Sequence, residues 1–411
     1  MEAYLASDDP LEFDSIEYWL CLHFLGTQGT SLSGVQARAD YDVVAPAYYG
    51  SAEIADWLAQ GGLTWSDPQP NNRGDGGPLS VEPTGQGFGL VSTLETMATE
   101  AGAQIVLNAR ATSLVTDATG RVTGVTTEDG TTYAASRGVM LAAGGYCSNP
   151  QMVAEQDVFT GIDETVPSCE PATNDGTALM MAQDLGDATC NTEFVQFFGF
   201  PEKQMGTIET VIPLAMGVSK MLVNKNGVRF TNDANAFFGG GKAEGTAPIC
   251  NQPSGRYYLV GDADAKASDM LAASYADYVA SGVIVEGATV ADAAQGVGLD
   301  GTVVEETVSQ LNTYVEAGED PDFGRDMSKA SQVKTAPFVT VAMAAYAQNT
   351  MGGVVINNHG EVVDEAGEAI PGLYAAGEVI GNVDGACRRH GDNFAQILYY
   401  AHLIGTEVAQ A

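Results

Sequence analysis

The sequence predicts an α/β fold in which an α+β segment interrupts a framework of alternating strands and helices. Three observations carry this reading. Gly138-Val139-Met140-Leu141-Ala142-Ala143-Gly144-Gly145 has the pattern of a buried strand running into small residues. The same pattern recurs in Met351-Gly352-Gly353-Val354-Val355-Ile356 and in Gly372-Leu373-Tyr374-Ala375-Ala376-Gly377-Glu378-Val379, before a final apolar helix. Between residues 194 and 337 the texture changes to short strands, a Gly239-Gly240-Gly241 loop and helices rich in Ala, Asp and Glu. A chain that leaves a framework and re-enters it suggests an inserted cap over a site, dividing the protein into residues 1–193, 194–337 and 338–411. Small residues at strand ends let a ligand approach the backbone, and the N–H groups of the next helix suit anionic or carbonyl oxygens. Compact packing alone is the competing reading of the same glycines.

Taken in order, residues 1–60 are mainly helical, with Ser51 as a cap before Glu53, Ile54 and Trp57, and Gly61-Gly62 as the stop. Residues 66–89 form a loop rich in Pro, Gly, Asn and Asp. Inside it Gly85-Gln86-Gly87-Phe88-Gly89 imitates a dinucleotide fingerprint, but no strand precedes it and Leu90 stands where the third glycine belongs. A helix is expected over 90–101 and a strand over 104–108. Strands on either side of Asp117-Ala118-Thr119-Gly120 make a hairpin. Asn174-Asp175-Gly176 opens a helix over 177–185, and strands follow at 220–223, 257–260 and 338–344.

Composition narrows the partners. With 53 acidic against 17 basic residues in 411, the formal net charge of −36 repels phosphate backbones and anionic membrane surfaces. Nucleic acid is excluded as a partner, and no run of about 18 apolar residues suggests membrane insertion. The six cysteines are dispersed without C-x-x-C, and no metal set is legible among the histidines, so none is expected. The N-terminus shows no address of its own. The compartment is therefore cytoplasmic by default, or extracytoplasmic if a signal precedes Met1.

Several segments together resemble the flavoproteins that include soluble fumarate reductases, succinate dehydrogenase flavoprotein subunits and 3-ketosteroid dehydrogenases. They are Gly120-Arg121-Val122-Thr123-Gly124-Val125, Leu141-Ala142-Ala143-Gly144-Gly145-Tyr146, Asn174-Asp175-Gly176, the run from Val223 to Asp233, Thr350-Met351-Gly352-Gly353-Val354 and the run from Pro371 to Val379. The resemblance implies a Rossmann-like FAD-binding domain with an inserted α+β capping domain. It puts Ala143, Gly144, Gly145, Asp175, Gly353, Gly377, Glu378, Asn393 and Phe394 at the cofactor. It also implies that the first βαβ unit, with its G-x-G-x-x-G, is missing, leaving a sheet position open.

The substrate positions depart from the fumarate reductases. Phe198, Phe237 and Gln348 stand where that group carries clamping or proton-donating residues, while one cation survives as Arg388, or as Arg389 by a one-residue shift. A fumarate dianion would lose charge-assisted bonds worth roughly 1.5–3 kcal/mol each. The expected activity is FAD-dependent reduction of an activated C=C bond of enone or acrylate type. Arg388 holds the electron-withdrawing group, and Tyr346, Arg389 and His390 are candidate proton donors. Phe197, Phe198, Phe200, Phe237 and Phe238 suit either an apolar substrate or the core. An unidentified reduced partner supplies electrons to the small-molecule substrate's reduction. The alternative is a truncated or split flavoprotein, inactive until a partner chain supplies the βαβ unit.

Overall fold

The computed structural model describes residues 15–31, 33–67, 69–70, 79–156, 159–203, 208–234, 243–389 and 392–410. In chain order the elements used below begin with the helices α1 (Ile16–Gly26), α2 (Tyr41–Gln60) and α3 (Gln86–Glu100). Four strands follow: β1 (Ala111–Thr116), β2 (Val122–Thr127), β3 (Thr132–Ala134) and β4 (Val139–Leu141). Next come α4 (Thr177–Gln183), β5 (Val195–Pro201), β6 (Met221–Val223), β7 (Arg256–Gly261) and β8 (Val285–Gly287). The chain continues through α5 (Val290–Gln295), α6 (Gly301–Ala317), β9 (Phe338–Thr350), β10 (Glu361–Val363), β11 (Ala369–Ala375) and α7 (Asp392–Gln410). The mixed α/β class expected from the sequence is what the chain forms. It divides into two compact units, one of residues 1–146, 172–195 and 349–411, the other of residues 147–171 and 196–348.

The first unit contains a small sheet in the order β10-β11-β4, with β11 and β4 parallel and Leu373, Tyr374 and Ala375 opposite Val139, Met140 and Leu141. Parallel pairing places the C-terminal ends of both strands side by side, where the small residues Ala142 to Gly145 and Ala376-Gly377 follow. Beside it, β1-β2-β3 form an antiparallel meander. Its first turn closes as expected, with Asp117 Oδ1 accepting from Thr119 N at 2.8 Å and Gly120 at φ +85. Ile54, Leu58, Leu63 and Leu90 form an apolar cluster flanked by Trp57, Trp65 and Leu94.

Helix starts differ in part from the sequence reading. Ser51 is not a cap: α2 runs unbroken from Tyr41, and Asp40 caps it by accepting from Asp42 N at 3.0 Å. The Ser51 hydroxyl instead donates back to Tyr48 O at 2.8 Å, a bond a mid-helix serine can make without breaking the helix. Helix α3 begins four residues early, at Gln86, so the glycine run that imitates a fingerprint is a helix start; a Cβ on Gly89 would sit 2.0 Å from Thr84 O.

The strand expected over 104–108 does not form. Among the described residues no strand pairs with them, and the chain turns at Leu107-Asn108, where Asn108 takes φ +56, so the apolar run gains no ladder hydrogen bonds. Ile105, Val106 and Leu107 are all more than half exposed as a result. Among the described residues β4 pairs only with β11, so its other edge is open.

The second unit is organised by the 13-residue β9, which pairs antiparallel with β7 and β8 and also pairs with β5, while β6 extends the sheet beyond β7. Met221, Val223 and Val260 on this sheet pack with Val290 and Ala294 of α5 and with Val304, Val308 and Leu311 of α6. Local signals agree with packing here. Thr289 and Asp292 form a reciprocal capping box on α5, Asp300 caps α6, and α6 ends at Gly318 with φ +73.

Candidate functional site

The glycine-punctuated ends of β4 and β11 converge with Asn174 and Thr350 on one carboxylate. Glu378 Oε1 accepts from Thr350 N at 2.9 Å and from Thr350 Oγ1 at 3.1 Å, and Oε2 accepts from Asn174 Nδ2 at 2.7 Å. Gly145 is the reason these groups can meet: a Cβ there would lie 1.9 Å from Thr350 Oγ1 and 2.8 Å from Glu378 Oε1. Gly144, at φ +80, faces Asn174 Nδ2, and Gly176 N donates to Gly145 O at 2.9 Å. Two loops and two strand ends are thereby locked around Glu378.

Other residues named from the sequence fall into distinct settings. Gly353 packs backbone on backbone, since a Cβ there would lie 1.9 Å from Val379 O. Gly377, at φ +87, has open space where a Cβ would stand, and Ala143 is exposed. Asp175 accepts from Arg110 at 2.5 Å and from Thr177 Oγ1 at 2.7 Å. Burial pushes its carboxyl up, but the Thr177 and Arg110 hydrogen bonds outweigh this and hold it below the usual carboxylate range.

Next to Glu378 lies a cavity of about 20 Å³ lined by Asn349, Gly377, Ile380, Asp384, Asn393 and Gln396. Asn393 Oδ1 and Gln396 Nε2 are buried there without a hydrogen-bond partner. Both side chains come from the first turns of α7, whose N–H groups favour an acceptor. Gln396 escaped the sequence reading because a glutamine on an apolar helix carries no motif; only its burial in the cavity singles it out. Phe394, by contrast, is exposed.

In the second unit Phe197 and Phe200 are core residues, 1% and 2% exposed, so packing takes both. Phe198 is half-buried. Tyr346 stands edge-on to Phe200 at 5.5 Å, and burial raises its hydroxyl pKa, so it stays protonated. Gln348 is buried with Oε1 lacking a partner. Phe237, Phe238, the triple-glycine loop and His390 lie outside the described residues.

No group of three or more His, Cys, Asp or Glu among the described residues is placed to hold a metal ion. The other histidines have structural partners: His23 contacts Val383 O at 3.0 Å, His359 pairs with Glu407 at 3.1 Å, and His402 meets Trp57 edge-on with ring centroids 4.8 Å apart. No helix among the described residues is long and apolar enough to cross a membrane.

The sequence profile of an FAD binding domain matches residues 32–393. The chain is 26% identical over 423 residues to an NADH:acrylate oxidoreductase of Vibrio harveyi, covering 96% of this chain and 39% of that protein. It is 28% identical to a urocanate reductase of Eggerthella lenta, covering 90% of this chain and 61% of that one. Among solved structures, the open conformation of a flavocytochrome c3 fumarate reductase superposes with a TM-score of 0.79 at 26% identity, covering 97% of this chain and 68% of that chain. The chain thus spans less than two thirds of the length of these two curated relatives.

Proposed function

Because the chain belongs to the FAD binding domain family, whose cofactor is FAD, we propose that it reduces an activated C=C bond of acrylate or enone type rather than fumarate. The observation that carries the reading is the site at the paired ends of β4 and β11, with the orphaned polar atoms of Asn393 and Gln396 beside Gly377 and Glu378. Ligands of α/β sheets bind outside the carboxyl ends of parallel strands, and these residues fit the polar portion of a dinucleotide. Gly377, with open space at its Cα, and exposed Ala143 would border the bound cofactor, Asn393 and Gln396 would meet its oxygens and hydroxyls, and Glu378 holds the surrounding loops in register. Bound FAD supplies a two-electron reductant for the carbon β to an electron-withdrawing group.

The chain's own residues do the rest. Arg388 binds the carbonyl or carboxylate oxygen and stabilises the charge that develops on it. In the second unit, Tyr346 is the candidate for proton delivery and Phe198 and Gln348 for substrate contact; with Gln348 neutral and Phe198 apolar, neither supplies a charge for a second carboxylate. Relatives of similar identity are named for acrylate, for urocanate and for fumarate, and the choice against fumarate rests on Phe198 and Gln348. Electrons come from a separate reduced partner.

The test is direct. The chain incubated with FAD should show flavin bands near ~370 and ~450 nm, and the reduced protein should be reoxidised by acrylate, urocanate or a simple enone. Fumarate reoxidising it as fast would overturn the substrate assignment. A second reading, a split flavoprotein, draws on the open edge of β4 and on exposed Ile105, Val106 and Leu107. On that reading flavin is retained only after addition of a second chain carrying a G-x-G-x-x-G βαβ unit, and retention by this chain alone would remove it.

A further inference from the structure

We infer that the first unit carries a second small-molecule site, separate from the cofactor cavity, that takes a zwitterion with an apolar body, such as an aromatic amino acid. The site is a cavity of about 730 Å³, within the span of about 300–1,000 Å³ common for small-molecule pockets. Its walls come from the C-terminal end of α1, the segment leading into α2, residues 188–190 and the turn between β10 and β11. None of its lining residues also lines the small cavity beside Glu378.

Arg38 is the group left to recognise a ligand. Arg110, Arg121, Arg137, Arg229, Arg256 and Arg325 each donate to a carboxylate or a carbonyl. The Arg38 guanidinium, by contrast, has no hydrogen bond or ion pair among the described residues, in a chain that holds 53 acidic side chains. Its backbone is nevertheless fixed. Asn191 Oδ1 accepts from Arg38 N at 2.9 Å, and Asn191 Nδ2 donates to Arg38 O at 2.6 Å and to Gly381 O at 2.7 Å. Asn191 is 6% exposed and takes φ +59, a left-handed conformation uncommon outside glycine. A buried clamp in that conformation presents the arginine in one place, as recognition requires.

The other charges on the lining are acidic. Asp40 Oδ1 accepts from Asp42 N at 3.0 Å, and Asp364 Oδ1 accepts from Ala366 N and Glu368 N at 2.9 Å, which leaves Oδ2 of each for an outside donor. Glu365 adds a third carboxylate. Burial pushes the Cys190 thiol up to about 12, and beyond that Arg38 lowers it and Asp40 raises it, so opposite charges flank one point of the wall. With three acids to one base, a simple anion is repelled and a simple cation leaves Arg38 unmatched. A carboxylate for the guanidinium fork and an ammonium for the acids, carried by one molecule, satisfy both. Its body meets carbon: Phe24 and Tyr41 stand with ring centroids 5.7 Å apart and tilted by 33°, and Ala188, Val355 and Val363 line the same cavity.

This site stands whether or not the chain reduces an alkene. Isothermal titration calorimetry of the full chain with L-phenylalanine and two blocked analogues tests it. L-Phenylalanine should bind saturably, in the presence of saturating FAD as in its absence. N-acetyl-L-phenylalanine, which lacks the ammonium, and L-phenylalaninamide, which lacks the carboxylate, should each bind at least about tenfold more weakly. Arg38→Gln should weaken L-phenylalanine at least about tenfold and leave L-phenylalaninamide unchanged.

No saturable binding of L-phenylalanine up to about 10 mM would overturn the site. N-acetyl-L-phenylalanine binding as tightly as the amino acid would overturn the zwitterion, and loss of L-phenylalanine binding in saturating FAD would overturn its separation from the cofactor cavity. The analogue series needs no variant to fold, so it decides the matter even if Arg38→Gln does not fold.

Discussion

In the second unit Asp233 and Asp320 are buried between two arginines, whereas in the first unit Asp187 is buried with neither carboxylate oxygen hydrogen-bonded. Arg229 bridges Asp233 at 2.8 Å and Asp320 at 2.9 Å and lies 5.1 Å from the Phe323 ring, while Arg325 reaches Asp233 at 3.1 Å. Burial pushes Asp320 upward, but the hydrogen bonds from Arg229 and from the Arg325 backbone N–H prevail and hold it below the usual carboxylate range. Burial acts on Asp187 with almost nothing to oppose it, and its pKa rises to about 6. The same side chain is thus an anchor in one place and a liability in the other, and the presence or absence of partners separates the two.

The largest test of that contrast is Arg229→Met, which leaves two buried acids with Arg325 as their remaining cation. Denaturant unfolding should show a loss of about 3–5 kcal/mol, and a loss below about 1 kcal/mol would show that the network is not an anchor. Next is Asp187→Asn. A folded pKa raised from 3.8 to about 6 means that the unfolded chain ionises first, so Asp187 lowers stability as pH rises through that window, and the deficit persists above it. The asparagine variant should match the parent near pH 4 and exceed it by about 1–3 kcal/mol at pH 8. A gain that does not depend on pH would refute the titration.

A smaller effect is expected at Glu378, whose partners are neutral donors rather than cations. Glu378→Gln turns one acceptor oxygen into a donor that must face either Thr350 or Asn174, a conflict expected to cost about 1–2 kcal/mol in thermal unfolding. It should also weaken retention of FAD in a dialysis measurement. Unaltered stability and retention would mean that the Glu378 cluster is not what holds these loops together.

Much of the framework was legible because local pattern and packing agreed. The hairpin at Asp117 to Gly120, the strands at 220–223 and 257–260 and the opening of α4 after Gly176 all follow residues whose backbone preference matches their place. Residues 104–108 failed for the opposite reason: an apolar run such as Ile105-Val106-Leu107 marks a strand only where another strand pairs with it. The Ser51 cap was displaced by Asp40, an equally good cap lying one helical stretch earlier. At the site, the glycines were legible but their purposes were not. Gly145 and Gly353 face their own chain, Gly377 faces open space, and only the coordinates of the opposing groups tell these apart. Asp187 and Gln396 were invisible because a single polar residue in a sequence does not reveal its burial.

The open edge of β4 bears on how the protein behaves as a colloid. An unpaired strand edge and exposed apolar residues such as Ile105, Val106 and Leu107 are the sort of surfaces along which copies of a chain add to one another. A net charge of −36 opposes that encounter at neutral pH by mutual repulsion. Acidification toward the carboxylate range, or salt that shortens the Debye length, withdraws the protection while leaving the edge intact. Dilute, low-salt, neutral solution is therefore the condition in which single chains persist.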